Sequence, residues 1–297
     1  MLLIIISATE ISSPSFLLKK LNGDKRKARV INKIMQKSPA DFIPLLHKLA
    51  DASGAVIRPY FRTVGFDDKD DATPVTVADR GAEEAIRAIL KTQRPDDGIW
   101  GEEFGASNMD ADWAWIIDPI DGTKAFIRGM PMFATLIGLS YKKKFVMGVI
   151  DQPVLRERWI GGDGFPTEFN GQRVTTRTCA SLSQAVLNAT SPCMFNGKNE
   201  RFGKQFKPLE EACKYALWGG DAYAFGLLAS GFIDIQIDTS LKLHDYAALV
   251  PVITAAGGII TDWRGDALDF DSAQRQHGCV IASGNASLHQ QALELLK

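Results

Sequence analysis

The sequence of 297 residues is poor in the features that mark several large protein classes. It has four cysteines, Cys179, Cys193, Cys213 and Cys279, with no CxxC pair and none beside a histidine pair at zinc spacing. Disulfide scaffolds belong to short secreted chains, so four reduced thiols are expected instead. No apolar run approaches the roughly 20 residues that span a bilayer. The opening run Met1-Leu2-Leu3-Ile4-Ile5-Ile6 stops at Ser7 and has no basic segment before it, unlike a signal peptide. Charge of one sign is also lacking. Lysine and arginine total 34, aspartate and glutamate 35, and the formal net charge is -1. That balance argues against a general nucleic-acid or anionic-membrane binder. There is no internal repeat and no low-complexity tract. The expectation is a cytoplasmic protein with no nucleic-acid partner and no membrane partner.

What is present is an ordinary globular composition, 45% hydrophobic and 23% charged. The length suits one large domain or two lobes and can bury roughly 75% of the unfolded surface. Residues 19–33 carry Lys19, Lys20, Lys25, Arg26, Lys27, Arg29 and Lys33 against Asp24 alone. Residues 1–34 are therefore expected to be a disordered basic extension, with Met35 as the natural start. The body, residues 35–297, is then more acidic than the whole.

Ser38-Pro39 reads as a helix cap with proline at the first helical position, and Phe42, Leu45, Leu46, Leu49, Val56 and Ile57 continue at helical period to about Arg62. The acidic stretch Asp67-Asp68-Lys69-Asp70-Asp71 lacks EF-hand spacing and reads as a solvated loop. A second helix is expected from Asp79 through Ala82, Ile86 and Leu90. The middle is rich in strands: 113–117, 135–141, 145–150 and 156–160. Gly161-Gly162-Asp163-Gly164 reads as a turn. Beyond residue 184, strands at 185–189, 232–237, 259–261 and 280–282 alternate with helices at 202–215, 221–230, 244–256 and 287–296. Gly257-Gly258 stops the third of these helices. The expected lobes are 35–184 and 185–297.

Acidic residues gather at the ends of apolar strands. Gly101-Glu102-Glu103 follows Ile99-Trp100, Asp118-Pro119-Ile120-Asp121-Gly122-Thr123 follows Trp113 to Ile117, and Asp245 opens a helix. Partly buried carboxylates are costly unless a cation compensates them, and carboxylate and carbonyl ligands suit magnesium or manganese. Pro119 is read as fixing a tight turn that lets Asp118 and Asp121 reach one metal pair. Gly122 permits close backbone approach, and the Gly122-Thr123 amides at the next helix start are expected to bind phosphate. A lone acid-proline-acid turn is also compatible with a capped β-turn.

The ordered set is more specific. Pro74-Val75-Thr76-Val77-Ala78-Asp79, Gly101-Glu102-Glu103, Trp115 through Thr123, and His244-Asp245-Tyr246-Ala247-Ala248 with Gly257-Gly258 together resemble the inositol monophosphatase family across about residues 39–297. The resemblance implies a five-layered αβαβα sandwich of mixed α/β class and a lithium-sensitive, metal-dependent phosphomonoesterase. It also implies a homodimer. Gly219 through Gly231, Leu241 through Pro251 and His289-Gln290-Gln291-Ala292-Leu293 most resemble the histidinol-phosphatase branch, which implies hydrolysis of L-histidinol phosphate in histidine biosynthesis. By the same resemblance, Glu102, Asp118 and the Ile120 carbonyl would hold one Mg2+, and Asp118, Asp121 and Asp245 a second. A third ion would rest on Glu102, and Mn2+ could substitute. Thr123 with Asp79 would activate the attacking water, Glu103 would support the ligands from behind, and Asp221 and Asp238 would contact substrate. The sequence departs from the family at His244, where an aromatic residue, most often Trp, usually precedes the metal-binding Asp.

Two alternatives stay open: an inositol-1-monophosphatase or other small-molecule phosphatase of the same family, and a catalytically silent metal-binding homologue acting as a regulatory or interaction protein. A haloacid-dehalogenase phosphatase needs aspartates two apart, whereas Asp118 and Asp121 are three apart. His47, His277 and His289 have no ligand-spaced partner and are given no role.

Overall fold

Alternation along the strands decides which layer each side chain enters, because successive residues of a strand face opposite ways. In the computed structural model Trp115 and Ile117 pack with Leu46, Leu49, Ile86 and Leu90, whereas Ile116 between them packs with Leu228, Val252 and Ile253. The structure describes residues 38–63, 67–68, 74–196 and 200–297. The basic stretch, the start proposed at Met35 and residues 69–71 lie outside these.

Ser38 accepts a hydrogen bond from the Ala40 amide and opens a 3-10 turn, Pro39–Phe42, that runs into α1 (Ile43–Ile57). The α-helix stops short of Arg62 because Pro59 has no amide to continue the ladder, and Arg58–Tyr60 forms a 3-10 turn instead. Asp67 and Asp68 are not plain loop: β1 (Asp67–Asp68) pairs antiparallel with β2 (Pro74–Val75). Then come α2 (Val77–Gln93), β3 (Gly98–Gly101), β4 (Gly105–Ser107), β5 (Trp113–Asp121) and α3 (Thr123–Ile127). The meander β6 (Ala134–Tyr141), β7 (Lys144–Gln152), β8 (Glu157–Gly162), β9 (Phe165–Phe169) and β10 (Gln172–Arg173) follows. These build an eight-stranded sheet ordered β10-β9-β8-β7-β6-β5-β3-β4. Within it only β3 and β5 run parallel. The glycine-rich turn is shorter than expected, since Gly161 and Gly162 belong to β8.

The rest of the chain supplies β11 (Val186–Ala189), α4 (Glu200–Ala212), β12 (Tyr215–Trp218), α5 (Asp221–Ala229), β13 (Ile235–Asp238), α6 (Leu243–Tyr246) and α7 (Leu249–Ala255). It ends with β14 (Ile259–Thr261), α8 (Ser272–Arg275), β15 (Val280–Ser283) and α9 (Ala286–Leu295). A second sheet has the order β12-β11-β13-β15-β14. Two expected helices are corrected. Residues 215–218 form an edge strand rather than the end of a helix; aromatic Tyr215 and Trp218 fit a strand. The expected 244–256 helix is split at Ala247-Ala248, because Pro251 leaves the Ala247 carbonyl without its helical donor.

Three apolar layers join the elements. Helices α1 and α2 cover one face of the large sheet through Phe42, Leu46, Leu49, Ile86 and Leu90. Helices α5 and α7 fill the space between the sheets, with Phe225, Leu228, Val252 and Ile253 meeting Leu136 and Ile150 on one side and Val280 and Ala282 on the other. Helices α4 and α9 close the outer face of the second sheet with Phe202, Phe206, Leu209, Leu288 and Ala292 against Leu187, Ile237 and Ile281. The order is helix, sheet, helix, sheet, helix: the expected αβαβα sandwich.

A glycine pair sets the seat for the α6–α7 junction. Gly138 of β6 and Gly148 of β7 face each other across the ladder. A Cβ at Gly148 would lie 2.0 Å from the Ala248 carbonyl oxygen, and one at Gly138 would lie 3.1 Å from the Ala248 amide nitrogen. Only glycine lets the helical junction lie this close to the sheet. Asp245 is carried on that junction's first helix.

Candidate active site

Strand β5 does not turn at Pro119 as the sequence suggested; it runs on through Asp121 with a bulge. Asp118 pairs with Leu136 and Asp121 with Ala134, so three steps on β5 match two on β6. In a regular strand residues three apart face opposite ways. The extra residue brings Asp118 and Asp121 to one side, where their carboxylate oxygens and those of Asp245 lie within 4.8 Å of one another. The intervening Pro119 and Ile120 are tied down. Thr135 donates its hydroxyl to the Pro119 carbonyl at 2.7 Å, and the Ile120 side chain is buried with Ala78, Ala82, Phe126 and Phe133. The Ile120 carbonyl accepts the Thr123 hydroxyl at 3.0 Å.

A second group shares Asp118. Ligating atoms of Glu102, Asp118 and His244 also lie within 4.8 Å of one another. Glu102 follows β3, and its amide donates to the Ile117 carbonyl at 3.1 Å. The turn after it is held by Glu83, which the sequence reading did not single out. Glu83 is fully buried and accepts from the Glu103 amide at 2.8 Å, the Phe104 amide at 3.3 Å and Arg87 Nε at 2.6 Å. A Cβ at Gly101 would collide with it. The Glu83 and Arg87 spacing of four on α2 was the only sequence trace of this support.

The group is electrostatically costly. Burial, then Glu102, Asp121 and Asp245, push the Asp118 carboxyl well above its ordinary value. Burial, then Asp221 and Asp245, push Asp121 up, against the hydrogen bond from the Ala222 amide. Two of the buried side-chain atoms without a hydrogen-bond partner among the described residues, Asp118 Oδ1 and His244 Nδ1, belong here. Native buried polar atoms rarely go unpaired. Crowded carboxylates with orphaned ligand atoms are what a divalent cation would satisfy, so the residues fit one.

Asp79 sits at the start of α2, buried. Its Oδ2 accepts the Thr76 amide at 2.8 Å in a reciprocal capping box, and its Oδ1 lies 3.4 Å from the Thr123 hydroxyl. Burial raises its pKa, the Thr76 bonds lower it and Glu102 raises it. Gly122 has φ 87° and caps α3. A Cβ there would meet Asp221 Oδ2 and the Met132 carbonyl, both at 3.1 Å. Asp221, itself at φ 41°, begins α5 beside the cluster. Asp121 Oδ2 accepts the next amide, Ala222, at 2.5 Å. Burial drives the Asp221 pKa up to about 6; Lys124 works against this and Asp245 adds to it. Asp238 is buried at the end of β13, accepting from the Thr190 amide at 2.8 Å and Gln236 Nε2 at 2.7 Å. Glu103 reaches the assembly through its amide bond to Glu83.

A layered α/β scaffold whose central strand carries bulged carboxylates beside a hydroxyl and a buried acid defines a candidate metal-assisted hydrolase. A family model described as the inositol monophosphatase family matches residues 39–297. Bifunctional phosphatase IMPL2, chloroplastic, of Arabidopsis thaliana is 45% identical over 98% of this chain and 86% of its own length. A histidinol-phosphatase of Mycobacterium tuberculosis is 34% identical over 86% of this chain and 98% of its own. The solved structure of an inositol monophosphatase from Zymomonas mobilis is 44% identical, with a TM-score of 0.79 over 88% of this chain and 99% of that one. The chain belongs to the inositol monophosphatase family. It is a phosphoric monoester hydrolase of a metal-dependent family that acts on small phosphorylated substrates. Among the described residues no helix is long and apolar enough to cross a membrane.

Proposed function

We propose that this phosphatase hydrolyses L-histidinol phosphate to L-histidinol and phosphate with Mg2+. One observation carries the choice of substrate: Asp221 stands beside Gly122 and the carboxylate cluster, with Asp238 near enough behind it to feel its charge. A cationic amine on the leaving group would be favoured there, because it would stabilise the charged form of acids that burial pushes towards protonation. The likeness to a histidinol-phosphatase supports the same reading.

In this reading Glu102, Asp118 and the Ile120 carbonyl hold one ion, Asp118, Asp121 and Asp245 hold a second, and Glu102 contributes to a third. Mn2+ can substitute. The ions would acidify a water, neutralise phosphate oxygens and stabilise the departing alkoxide. Thr123 orients the attacking water and passes its proton towards Asp79. As the water oxygen bonds to phosphorus, the bond from phosphorus to the substrate oxygen breaks, and that oxygen leaves as alkoxide and is then protonated. Gly122 and Thr123 offer backbone amides to the phosphate. Glu103 keeps the Glu102 turn in place through Glu83. Residues 35–184 and 185–297 act as two lobes, the first giving most ligands and the second giving Asp245 and the substrate contacts. The protein works as a homodimer, is inhibited by lithium and serves histidine biosynthesis. The free thiols of all four cysteines suit a reducing compartment, and we place it in the cytoplasm.

The likeness to an inositol monophosphatase favours a second reading, hydrolysis of inositol 1-phosphate. Phosphate release with Mg2+ from histidinol phosphate, inositol 1-phosphate and fructose bisphosphate, measured side by side, decides. Histidinol phosphate should give the highest kcat/KM. A large advantage for inositol 1-phosphate overturns the first reading, and no release from any of them leaves a silent metal-binding homologue.

A further inference from the structure

We propose that His244 is a metal ligand, giving the Glu102 and Asp118 group a nitrogen donor. The inference rests on the metal-site reading above and extends it to a residue outside the carboxylate set. His244 is buried, its side chain only 9% exposed. One ring nitrogen lies within 4.8 Å of carboxylate oxygens of Glu102 and Asp118. Nε2 is 3.4 Å from Asp245 Oδ1, and Nδ1 is buried with no hydrogen-bond partner. The ring therefore touches both carboxylate groups while leaving a donor atom unused.

Two other rings differ. His47 Nδ1 meets Arg158 at 3.0 Å, and both nitrogens of His289 meet hydroxyls, Thr261 at 2.9 Å and Ser283 at 3.0 Å. An imidazole placed only for packing would be expected to find such partners, since an unpaired buried polar atom costs about 1–3 kcal/mol. Asp118 Oδ1 is orphaned in the same cluster. A cation in this group would take a lone pair from Asp118 and one from the ring nitrogen that lies near it, with neutral imidazole keeping its proton on the other nitrogen. The backbone at position 244 is fixed by the same seating of the helix junction on Gly138 and Gly148 that places Asp245.

A nitrogen donor changes which ion is preferred. Carboxylates and carbonyls favour Mg2+ and Mn2+, whereas imidazole raises affinity for later ions such as Co2+, Ni2+ and Zn2+. The site should hold these ions more tightly than an all-oxygen site would.

The test is pulsed electron paramagnetic resonance on the full chain loaded with enough Mn2+ to fill both ligand groups. Wild type should show coupling from a directly bound 14N nucleus, replaced by a 15N pattern when histidine alone is 15N-labelled. This arm needs no substitution. In His244→Phe, and in His244→Asn if the first does not fold, Mn2+ should still bind through Asp118, Asp121 and Asp245, but without the histidine coupling. Calorimetry should show Co2+ affinity falling about tenfold or more and Mg2+ affinity falling less than about threefold. Bound Mn2+ with no histidine coupling in wild type overturns the proposal and leaves the carboxylate site standing. Coupling that persists in the variants, or equal losses for Co2+ and Mg2+, also overturns it. No Mn2+ binding at all overturns both this proposal and the metal-site reading.

Discussion

Asp79 divides its carboxylate between two tasks: Oδ2 closes the cap of α2 on the Thr76 amide at 2.8 Å, and Oδ1 faces the Thr123 hydroxyl at 3.4 Å. In the proposed mechanism, helix start and proton acceptor are one side chain. Thr123→Val removes only the second task. Its kcat should fall about 10²- to 10⁴-fold, while the cap stays whole and stability drops only by the bond to the Ile120 carbonyl, about 1 kcal/mol or less. Asp79→Ala should show the same loss and also cost about 1 kcal/mol from the broken cap. Steady-state phosphate release and urea titrations of both variants separate the tasks; wild-type kcat in Thr123→Val would remove the hydroxyl from the reaction.

Asp118→Asn should abolish metal-dependent turnover, by about 10³-fold or more, because Asp118 belongs to both ligand groups. The same change relieves repulsion among buried acids, so without metal the variant should be about 1 kcal/mol more stable than wild type. Phosphate release and thermal melts in chelator check the two halves. A metal-free variant that melts well below wild type would contradict the repulsion argument.

Glu83 lies outside the carboxylate cluster, yet it holds the Glu103 and Phe104 amides and Arg87. Glu83→Ala removes the buried acceptor that these partly buried donors share. A loss of about 3 kcal/mol is expected, with weaker metal binding as the Glu102 turn loosens. Denaturant midpoints and Mn2+ titration report both.

Gly148→Ala places a methyl group 2.0 Å from the Ala248 carbonyl oxygen. The junction must move, at about 1–3 kcal/mol, and Asp245 moves with it. Metal affinity should drop more than in an equally destabilised variant of α9. Unchanged Mn2+ binding would show that the seat does not govern Asp245.

Burial pushes the Asp238 carboxyl up from 3.8 to about 7, against hydrogen bonds from Thr190 and Gln236. A carboxyl with a raised folded-state pKa stabilises the fold most when protonated. That contribution is whole below about pH 4 and is lost as pH rises through 7. The metal-free protein should therefore lose stability between pH 5 and pH 8, and Asp238→Asn should flatten that slope. Melting temperatures across this range test it; an unchanged slope in the variant would assign it to other groups.

Much of this was legible in the residues. Apolar runs ending in acid marked β3 and β5, and the ordered motifs gave the five layers. Other features depend on contacts that spacing does not carry. Proline and glycine in Asp118-Pro119-Ile120-Asp121-Gly122 suggested a turn, but pairing with β6 keeps the segment extended as a bulged strand. Tyr215 followed α4 at helical period, yet pairing with β11 made 215–218 a strand. Glu83 and His244 are 19 and 142 residues from Glu102 in sequence, and only the packing of α2 and α6 brings them near its turn.

The bulge in β5 has a consequence that can be put as parity. Between Asp118 and Asp121 the chain takes an odd number of steps, yet both acids emerge on one side because the partner strand takes an even number. Removing one residue between them would restore matched counting and leave both acids on one side, but it would take away the bulge and the extra twist it gives the strand beneath them. Pro119 and Ile120 could then no longer both keep their places, the one with its carbonyl held by Thr135 and the other with its side chain packed on Phe126 and Phe133. The segment is therefore constrained first by its length, and a shift of one position would be felt more sharply than most changes of side chain.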